Sequence, residues 1–388
     1  MAIVVSDRRA RLQESPLRHL DLFLFGPPAL LAAFGTLVVY ASTRPWLEAK
    51  QLDPLYFVKR QLIAIVVGLV VMVVLMFIDY RRLRELSLLG YGATILMLVA
   101  VLKFGASVNG AQARFDIGAF QVQPGEFAKI FLTLVLAAYC TRHREEMSAR
   151  RLIVAILISV VPLGLIILQP DLGTDVVLMA MVFTIIMMAG ARARHLVVLL
   201  LLGLTVTVVA VQAGVLDQYQ IDRITSFQDL NVDEQKFQTL SRDQQKNQYN
   251  QKQAVLAVGS GGLTGKGLFS GSQTNGAQVP EQHTDFIFTV VGEEFGFVGS
   301  ALVLALFAMI VWRTSRAARL AQDPFGSLCC MGVLAMFVAQ VFENVGMATG
   351  IMPVTGIPLP FMSYGGSSVI VSFACIGLVG NVRMRRFS

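Results

Sequence analysis

A group of polar side chains directly precedes a long apolar run in the last third of the chain. The segment Pro280-Glu-Gln-His-Thr-Asp-Phe-Ile-Phe288 contains Glu281, His283 and Asp285. A carboxylate held half in water and half against an apolar wall is suited to act as a general base. A first-turn acid that stabilises the helix dipole is the alternative interpretation. Position alone leaves both interpretations open.

A second pair of charges lies at the start of another apolar run. Glu126 and Lys129 follow Pro124, which favours the first turn of a helix. Their i, i+3 spacing places both side chains on one helix face. Charges inside a membrane helix are rare unless they are paired or line a polar cavity. The two interpretations are therefore a mutual ion pair and a shared role at such a cavity.

Other polar residues interrupt apolar runs farther along the chain. Glu293 and Glu294 are secondary candidates for a cavity lining or for internal pairing. Helix-helix hydrogen bonding accounts for Gln340 and Asn344. Arg60 begins an apolar run, where an arginine also reaches simply to the lipid headgroups.

Two segments are rich in glycine or proline. Residues 257–267 contain five glycines and Lys266, and they could present backbone N–H groups and a cation to an anion. Their spacing does not match a P-loop. Residues 353–368 are dense in proline and glycine beside an apolar run. This pattern favours a shaped re-entrant segment over a plain loop, because irregular backbone at membrane depth must be buried or line a cavity.

The elements that must position these residues are membrane helices. The chain has 388 residues, of which 55% are hydrophobic and 15% charged, outside the range of a soluble domain. Runs of about 20 apolar residues recur, each long enough to cross a bilayer as a helix. We predict ten spans, at 22–42, 60–79, 86–104, 124–141, 151–168, 174–190, 195–214, 286–312, 325–349 and 363–382.

Basic residues orient these spans, because Lys and Arg near helix ends stay on the cytoplasmic side. They cluster before the first span and after every second one, at Arg8, Arg9, Arg11, Arg18, Arg81, Arg82, Arg84, Arg142, Arg144, Arg150, Arg151, Arg192, Arg194, Arg313, Arg316, Arg319, Arg383, Arg385 and Arg386. The predicted fold class is therefore all-α, a polytopic membrane protein with ten transmembrane helices and both termini cytoplasmic. Residues 1–388 form one membrane domain, and 215–285 form one large extracellular loop.

The net charge of +7 is explained by this topology and by anionic lipid headgroups, so the composition predicts no nucleic-acid partner. The external segments are 105–123, 169–174, 215–285 and 350–362, and they converge on one face. Within them, residues 228–253 are rich in Gln, Asn, Asp and Lys and are interpreted as a solvated spacer. The four cysteines lie in or beside predicted spans and indicate neither a disulfide framework nor a metal site.

The motifs together resemble the SEDS glycosyltransferases, the family typified by RodA and FtsW, over nearly the whole chain. The blocks that carry the resemblance are Asn109-Gly-Ala, Gln123-Pro-Gly-Glu-Phe-Ala-Lys129, Gln169-Pro-Asp-Leu-Gly-Thr174, Gly259-Ser-Gly-Gly-Leu-Thr-Gly-Lys-Gly267, Pro280 to Phe288 with Gly292-Glu-Glu-Phe-Gly296, and Pro353 to Ser368. The stretch Pro353-Val-Thr-Gly-Ile-Pro-Leu-Pro resembles the RodA branch more than FtsW.

The resemblance implies a peptidoglycan glycosyltransferase that polymerises lipid II on the outer leaflet and releases undecaprenyl pyrophosphate, in cell shape and elongation. It implies Asp285 as the catalytic carboxylate, with a class B penicillin-binding protein transpeptidase as partner. The leaving diphosphate needs charge stabilisation, for which Arg60, Lys129, Lys266 or a divalent cation, Mg²⁺ or Mn²⁺, are candidates; no organic cofactor is expected. Further motif positions expected around the external cavity are Glu126, Asp171, Glu281, His283 and Ser363.

Three positions depart from the family pattern. Ala113-Arg114-Phe115 stands where Arg-Trp is common, which makes Arg114 a candidate replacement for the substrate contact. Gly125 replaces a serine, and Asp175 stands where a small residue is usual. None of these changes touches Asp285.

Two functions from other classes compete with the transferase. A flippase for lipid II would also use a multi-span bundle with intramembrane charges. The polar residues gather at the external face, however, and no internal repeat with matched broken helices is detected. A non-catalytic scaffold would have no use for an external acid-base site, which argues against that alternative.

Overall fold

The computed structural model describes residues 21–108, 111–117, 120–142, 147–212, 242–276 and 279–385. Predictions that concern Arg8, Arg9, Arg11, Arg18, Asn109, Gly110, Arg144, Arg386 and the segment 213–241 lie outside these residues. The helices are α1 (Leu22–Ala49), α2 (Tyr56–Phe77), α3 (Tyr80–Phe104), α4 (Pro124–Thr141), α5 (Ala149–Ile167), α6 (Leu172–Met188), α7 (Ala193–Gln212), α8 (Arg242–Ser260), α9 (Ser272–Asn275), α10 (Ile287–Arg319), α11 (Pro324–Thr349) and α12 (Gly366–Met384).

The prediction of a helical membrane protein is confirmed. Within the described residues, seven helices are long and apolar enough to cross a bilayer: α1, α2, α3, α5, α10, α11 and α12. The other three predicted spans also coincide with helices, namely α4, α6 and α7. The largest differences in position are at the ends of α1 and α10, which continue to Ala49 and Arg319.

One part of the fold is not helical. The segment after α3 forms a small antiparallel sheet in the order β1-β2-β3, from Ala106–Val108, Ala111–Ile117 and Phe120–Val122. The sequence analysis predicted an external segment here without a sheet. These three short antiparallel strands connect α3 to the start of α4.

The helices surround α12, which is buried almost along its whole length and packs chiefly against α2. Apolar side chains on the outer faces of the bundle are exposed, for example Val66 and Val70 on α2 and Leu88 and Leu89 on α3. Water would be an unfavourable surrounding for so much apolar surface, whereas a hydrocarbon layer is suited to it. This distribution supports the membrane prediction independently of helix length.

Ion pairs connect the helices at the end of the bundle where the basic clusters lie. The carboxylate of Asp21 accepts hydrogen bonds from Arg313 at the end of α10, and it pairs with Arg383 of α12 at 2.9 Å. The hydroxyl of Tyr80 donates to Asp323 at 2.6 Å, joining α3 to α11. These contacts connect the helices at one end of the bundle. The motif that contains Glu281, His283 and Asp285 lies at the other end.

The polar segment before the glycine-rich stretch is more ordered than predicted. Residues 228–241 lie outside the described part, but residues 242–253, interpreted above as solvated spacer, belong to α8. This helix packs against α10 and α11, and the amide nitrogen of Gln251 donates to the carbonyl of Met352 at 2.8 Å. Ala254 and Ala257 form a small apolar cluster with Phe286 and Met347. The spacer interpretation is therefore wrong for this part, because alanines at helical spacing give α8 a buried face.

Helix α10 is broken at Gly296, where φ is 64° and ψ is −158°. The glycine-rich stretch lies in the break: the amides of Phe297 and Val298 donate to the carbonyls of Gly262 and Leu263 at 2.9 and 3.0 Å. In return, the amides of Lys266 and Gly267 donate to the main-chain carbonyls of Glu293 and Glu294 at 3.0 Å each. The N–H groups that the sequence suggested for an anion thus satisfy the broken helix instead.

We expect Gly296→Ala to destabilise the protein by about 2 kcal/mol or more. Its backbone conformation is essentially restricted to glycine, and a Cβ atom there would come within 2.3 Å of the amide nitrogen of Gly265. The unfolding temperature in detergent measures the effect.

The matched control is Gly164→Ala in α5, where no atom lies within 4 Å of the added Cβ. Since alanine favours a helix over glycine by about 0.5–1 kcal/mol, this variant should be neutral or slightly more stable. Equal unfolding temperatures for the two variants would contradict the strain at Gly296.

Candidate active site

A cavity of about 340 Å³ opens at the end of the bundle that carries the sequence motifs. It brings together Asp285, Glu281, His283, Arg60 and Arg114 of the predicted site residues. The remaining lining residues are Tyr56, Phe57, Gln121, Gln123, Thr284, Gly356, Pro358, Tyr364, Gly365, Gly366, Ser367 and Ser368.

Asp285 lies in the last turn before α10, half-buried at the cavity wall. The carbonyl of Glu281 accepts hydrogen bonds from the amides of Thr284 and Asp285 at 3.2 and 3.1 Å, so the turn is closed on itself. Glu281 has a positive φ of 53° and is exposed. The two carboxylates therefore differ, with Asp285 set into the wall and Glu281 at the solvent side.

Arg60, another lining residue, is held in place by neighbouring aromatic residues. Its guanidinium carbon lies 4.2 Å from the centre of the Tyr56 ring, and the side chain hydrogen-bonds to the hydroxyl of Tyr364. The amide of Tyr364 donates to the carbonyl of His283 at 2.8 Å. Tyr364 thus contacts both Arg60 and the turn that carries Asp285.

His283 lies among aromatic rings. Its ring centre is 4.7 Å from that of Phe57 and 5.7 Å from that of Tyr364. Burial lowers the pKa of His283 below its ordinary value, and the nearby Glu281 opposes this shift. Burial likewise raises the pKa of Tyr364, opposed by Arg60. At neutral pH we therefore expect His283 to be neutral, which leaves the arginines as the cations of the cavity.

Arg114 reaches the cavity from the sheet. Its guanidinium lies 3.5 Å from the amide oxygen of Gln121 on β3, a long contact. Ser367 fixes β3 to the start of α12, since its hydroxyl donates to the carbonyl of Gln121 at 3.0 Å and accepts from the amide of Gln123 at 3.1 Å. The sheet therefore carries a second cation over the cavity.

Three predicted residues, Asp171, Glu126 and Lys129, are not among the residues that line the cavity. Asp171 caps α6 and accepts a 2.8 Å hydrogen bond from Gln123, a lining residue. Glu126 and Lys129 form the mutual ion pair that was one of the two interpretations, at 2.6 Å and fully buried. Their predicted part in substrate binding would have to act through Gln123 and its neighbours.

The other two predicted residues have structural contacts. Lys266 pairs with Glu293 at 2.7 Å beside the break in α10 and does not line the cavity. The hydroxyl of Ser363 accepts a hydrogen bond from the amide of Leu359 at 2.8 Å, within the proline-rich segment. Direct substrate contact by either residue stays a prediction.

Asp175, one of the departures from the family pattern, is buried on α6. Neither of its carboxylate oxygens has a hydrogen-bond partner among the described residues. A buried acceptor without a partner costs about 1–3 kcal/mol. We therefore expect Asp175→Val to raise the unfolding temperature in detergent by several degrees.

The control for this prediction is Asp171→Val, four residues earlier. Asp171 accepts from the amide and hydroxyl of Thr174 at 3.1 and 2.9 Å, so its loss should lower the unfolding temperature. A fall in both variants would mean that the carboxylate of Asp175 is satisfied.

Sequence reasoning missed several lining residues. Gln123 and Tyr364 stand inside motifs that were recognised, so their positions offered a signal. Tyr56 and Phe57 offered none, because aromatic residues at the start of a span are ordinary in membrane proteins.

The described residues contain no group of three or more His, Cys, Asp and Glu side chains that could hold a metal ion. Protein ligands for the predicted Mg²⁺ or Mn²⁺ are thus not assembled in this part of the chain.

The fold and the cavity define a class: a polytopic membrane protein in which carboxylates and two arginines line one cavity at one end of the helical bundle. The chain belongs to the FtsW, RodA and SpoVE family, described as cell cycle proteins, whose model matches residues 21–387. It is accordingly a multi-pass protein of the bacterial membrane.

Relatives match along nearly their whole length. Stage V sporulation protein E of Bacillus subtilis (strain 168) is 38% identical over 366 residues, which cover 93% of this chain and 96% of the relative. Peptidoglycan glycosyltransferase MrdB of Escherichia coli (strain K12) is 34% identical over 373 residues, or 95% and 94% of the two chains.

Solved structures agree with the fold. The rod shape determining protein RodA of Thermus thermophilus is 31% identical with a TM-score of 0.69, covering 95% of this chain and 98% of that one. A chain from a peptidoglycan synthase complex, solved in work on the coordination of polymerization and crosslinking, is 33% identical with a TM-score of 0.77, covering 95% and 99%.

Proposed function

We propose that this protein is a peptidoglycan glycosyltransferase that polymerises lipid II on the outer leaflet of the bacterial membrane, with Asp285 as general base. The observation that carries the proposal is the cavity that Asp285 lines together with Arg60 and Arg114. Relatives named as peptidoglycan glycosyltransferases, matched along nearly their whole length, support the activity.

The chemistry follows from the bonds that must change. The donor sugar is α-linked to diphosphate and the product is β-linked, so one displacement with inversion is sufficient. Asp285 accepts the proton of the acceptor 4-hydroxyl as its oxygen attacks the anomeric carbon, and the bond to the diphosphate breaks. The proton then passes from Asp285 to solvent through the open cavity.

The leaving undecaprenyl diphosphate departs with negative charge. Arg60 and Arg114 are the lining cations that can neutralise it, and Arg60 is already oriented by Tyr56 and Tyr364. A cation fixed before the reaction stabilises the developing charge without reorganising. A divalent cation brought in with the diphosphate would add to this effect, and metal depletion tests whether one is required.

The orientation and the partner belong to the same proposal. Ten spans with both termini cytoplasmic place the cavity outside, in one membrane domain whose loop 215–285 ends at Asp285. A solved relative comes from a complex in which polymerization is coordinated with crosslinking. This supports a class B penicillin-binding protein as the transpeptidase partner, with a role in cell shape and elongation.

Polymerisation of labelled lipid II by the purified protein, alone and with its transpeptidase partner, tests the proposal. Glycan ladders that persist in the presence of moenomycin would support the proposal. Moenomycin inhibits the other class of peptidoglycan polymerase, which could contaminate the preparation. Transfer of lipid II across vesicles without any ladder would overturn the transferase and favour a flippase.

A further inference from the structure

Asn344 connects α11 to the backbone of Asp285. The side-chain nitrogen of Asn344 donates to the carbonyl of Asp285 at 2.7 Å and to the carbonyl of Ile357 at 2.7 Å. Both partners are carbonyl oxygens, so the amide must use its two N–H groups here. The residue is completely buried.

The carbonyl of Asp285 lies outside the helical hydrogen bonds because α10 begins two residues later, at Ile287, with Phe286 as its N-cap. The amide of Thr289 donates to Phe286 at 3.0 Å, so the first helical hydrogen bond passes over Asp285. A carbonyl at this position needs a partner from outside the helix, and Asn344 supplies one. Phe286 packs into the apolar cluster beneath α8, which holds the other side of the turn.

The second hydrogen bond reaches another segment that lines the cavity. Ile357 lies between Gly356 and Pro358, which both line the cavity. The amide of Asn344 therefore connects the turn that carries Asp285 to the 356–358 part of the proline-rich segment. It adds a buried side-chain connection to the main-chain hydrogen bond between Tyr364 and His283.

We propose that Asn344 is a positioning residue for the transfer reaction: it aims the carboxylate of Asp285 by holding that residue's backbone against the 356–358 wall. This inference rests on the proposed function. A general base acts only within hydrogen-bond reach of its proton, and displacement of a reacting group by about 1 Å can lower a rate roughly 100-fold.

The test is Asn344→Leu, a side chain of similar size without donors. We expect kcat for lipid II polymerisation, per folded protein, to fall about 100-fold, with KM changed less than about threefold because the arginines stay in place. The control is Gln340→Leu, which removes a buried amide one turn earlier on the same helix. It should keep kcat within about twofold of the native protein.

A second variant, Asn344→Asp, keeps the size of the side chain. It tests the proposal even if Asn344→Leu fails to fold. Its carboxylate donates no hydrogen bond, whereas its protonated form donates one. Its activity relative to the native protein should therefore rise as the pH falls. A residue needed only for folding would lower the folded yield and leave this ratio independent of pH.

The outcomes separate the two proposals. If the native protein makes no glycan, the proposed function fails. If it makes glycan and folded Asn344→Leu keeps its kcat, or loses activity only through KM, the positioning role is overturned. A loss of kcat in Gln340→Leu equal to that in Asn344→Leu would also overturn it.

Discussion

Asp285→Asn should abolish polymerisation, with a loss of at least about 1,000-fold in kcat. The amide has nearly the size of the carboxylate but cannot accept the proton of the attacking hydroxyl, and positioned bases contribute about 100- to 10,000-fold to such reactions. The protein should still insert into the membrane, because the main-chain hydrogen bonds that close the turn are unchanged by the substitution. Glycan formation from labelled lipid II measures the loss.

Glu281→Gln is the matched control, the same chemical change in the same turn. Glu281 is exposed at the solvent side of the cavity, so we expect a loss below about tenfold in kcat. If Glu281→Gln removed activity while Asp285→Asn kept it, the base would be Glu281. Equal and small losses of kcat in the two variants would mean that neither carboxylate acts as the base.

Glu293→Ala should have the largest effect on stability, a loss of about 3–5 kcal/mol. The carboxylate is completely buried and accepts from Lys266 at 2.7 Å, from the amides of Gln273 and Thr274 at 2.9 and 2.8 Å, and from the hydroxyl of Thr274 at 2.8 Å. Its removal leaves the amides of Gln273 and Thr274 without their acceptor and leaves the Lys266 cation with only the hydroxyl of Ser272. The unfolding temperature and the rate of proteolysis within 257–275 measure the effect.

Glu48→Ala is the control, because its ion pair with Arg44 has the same 2.7 Å length but is exposed. Exposed pairs contribute about 0–1 kcal/mol. The unfolding temperature of Glu48→Ala should therefore stay near the native value. Similar losses in the two variants would show that burial adds nothing to the Glu293 contacts.

The helices could be predicted because their signal is local. Each apolar run is long enough to cross a bilayer, and that requirement alone indicates the helix. The ends were less certain: nothing in the sequence shows how far α1 and α10 continue beyond the apolar part. The sheet was missed, since its strands are short and their pairing depends on neighbours outside each strand.

The site could be predicted in part for the same reason. Asp285, Glu281 and His283 share one motif and one turn, so their proximity is a property of the local sequence. Lys266 shows the limit of this approach. Its glycine-rich surroundings suggested an anion site, but its partner is Glu293, and a contact between separate segments is set by packing that spacing cannot show.

The break at Gly296 sets the height of Asp285 relative to the bilayer. Residues 297–319 alone form a rod of about 34 Å, sufficient to cross the hydrocarbon layer of about 30 Å. With the proposed orientation, the part of α10 before Gly296 extends beyond the hydrocarbon layer and places Asp285 at the level of the lipid headgroups. A lipid-linked sugar could then react without leaving water, while its prenyl chain stays dissolved among the lipids.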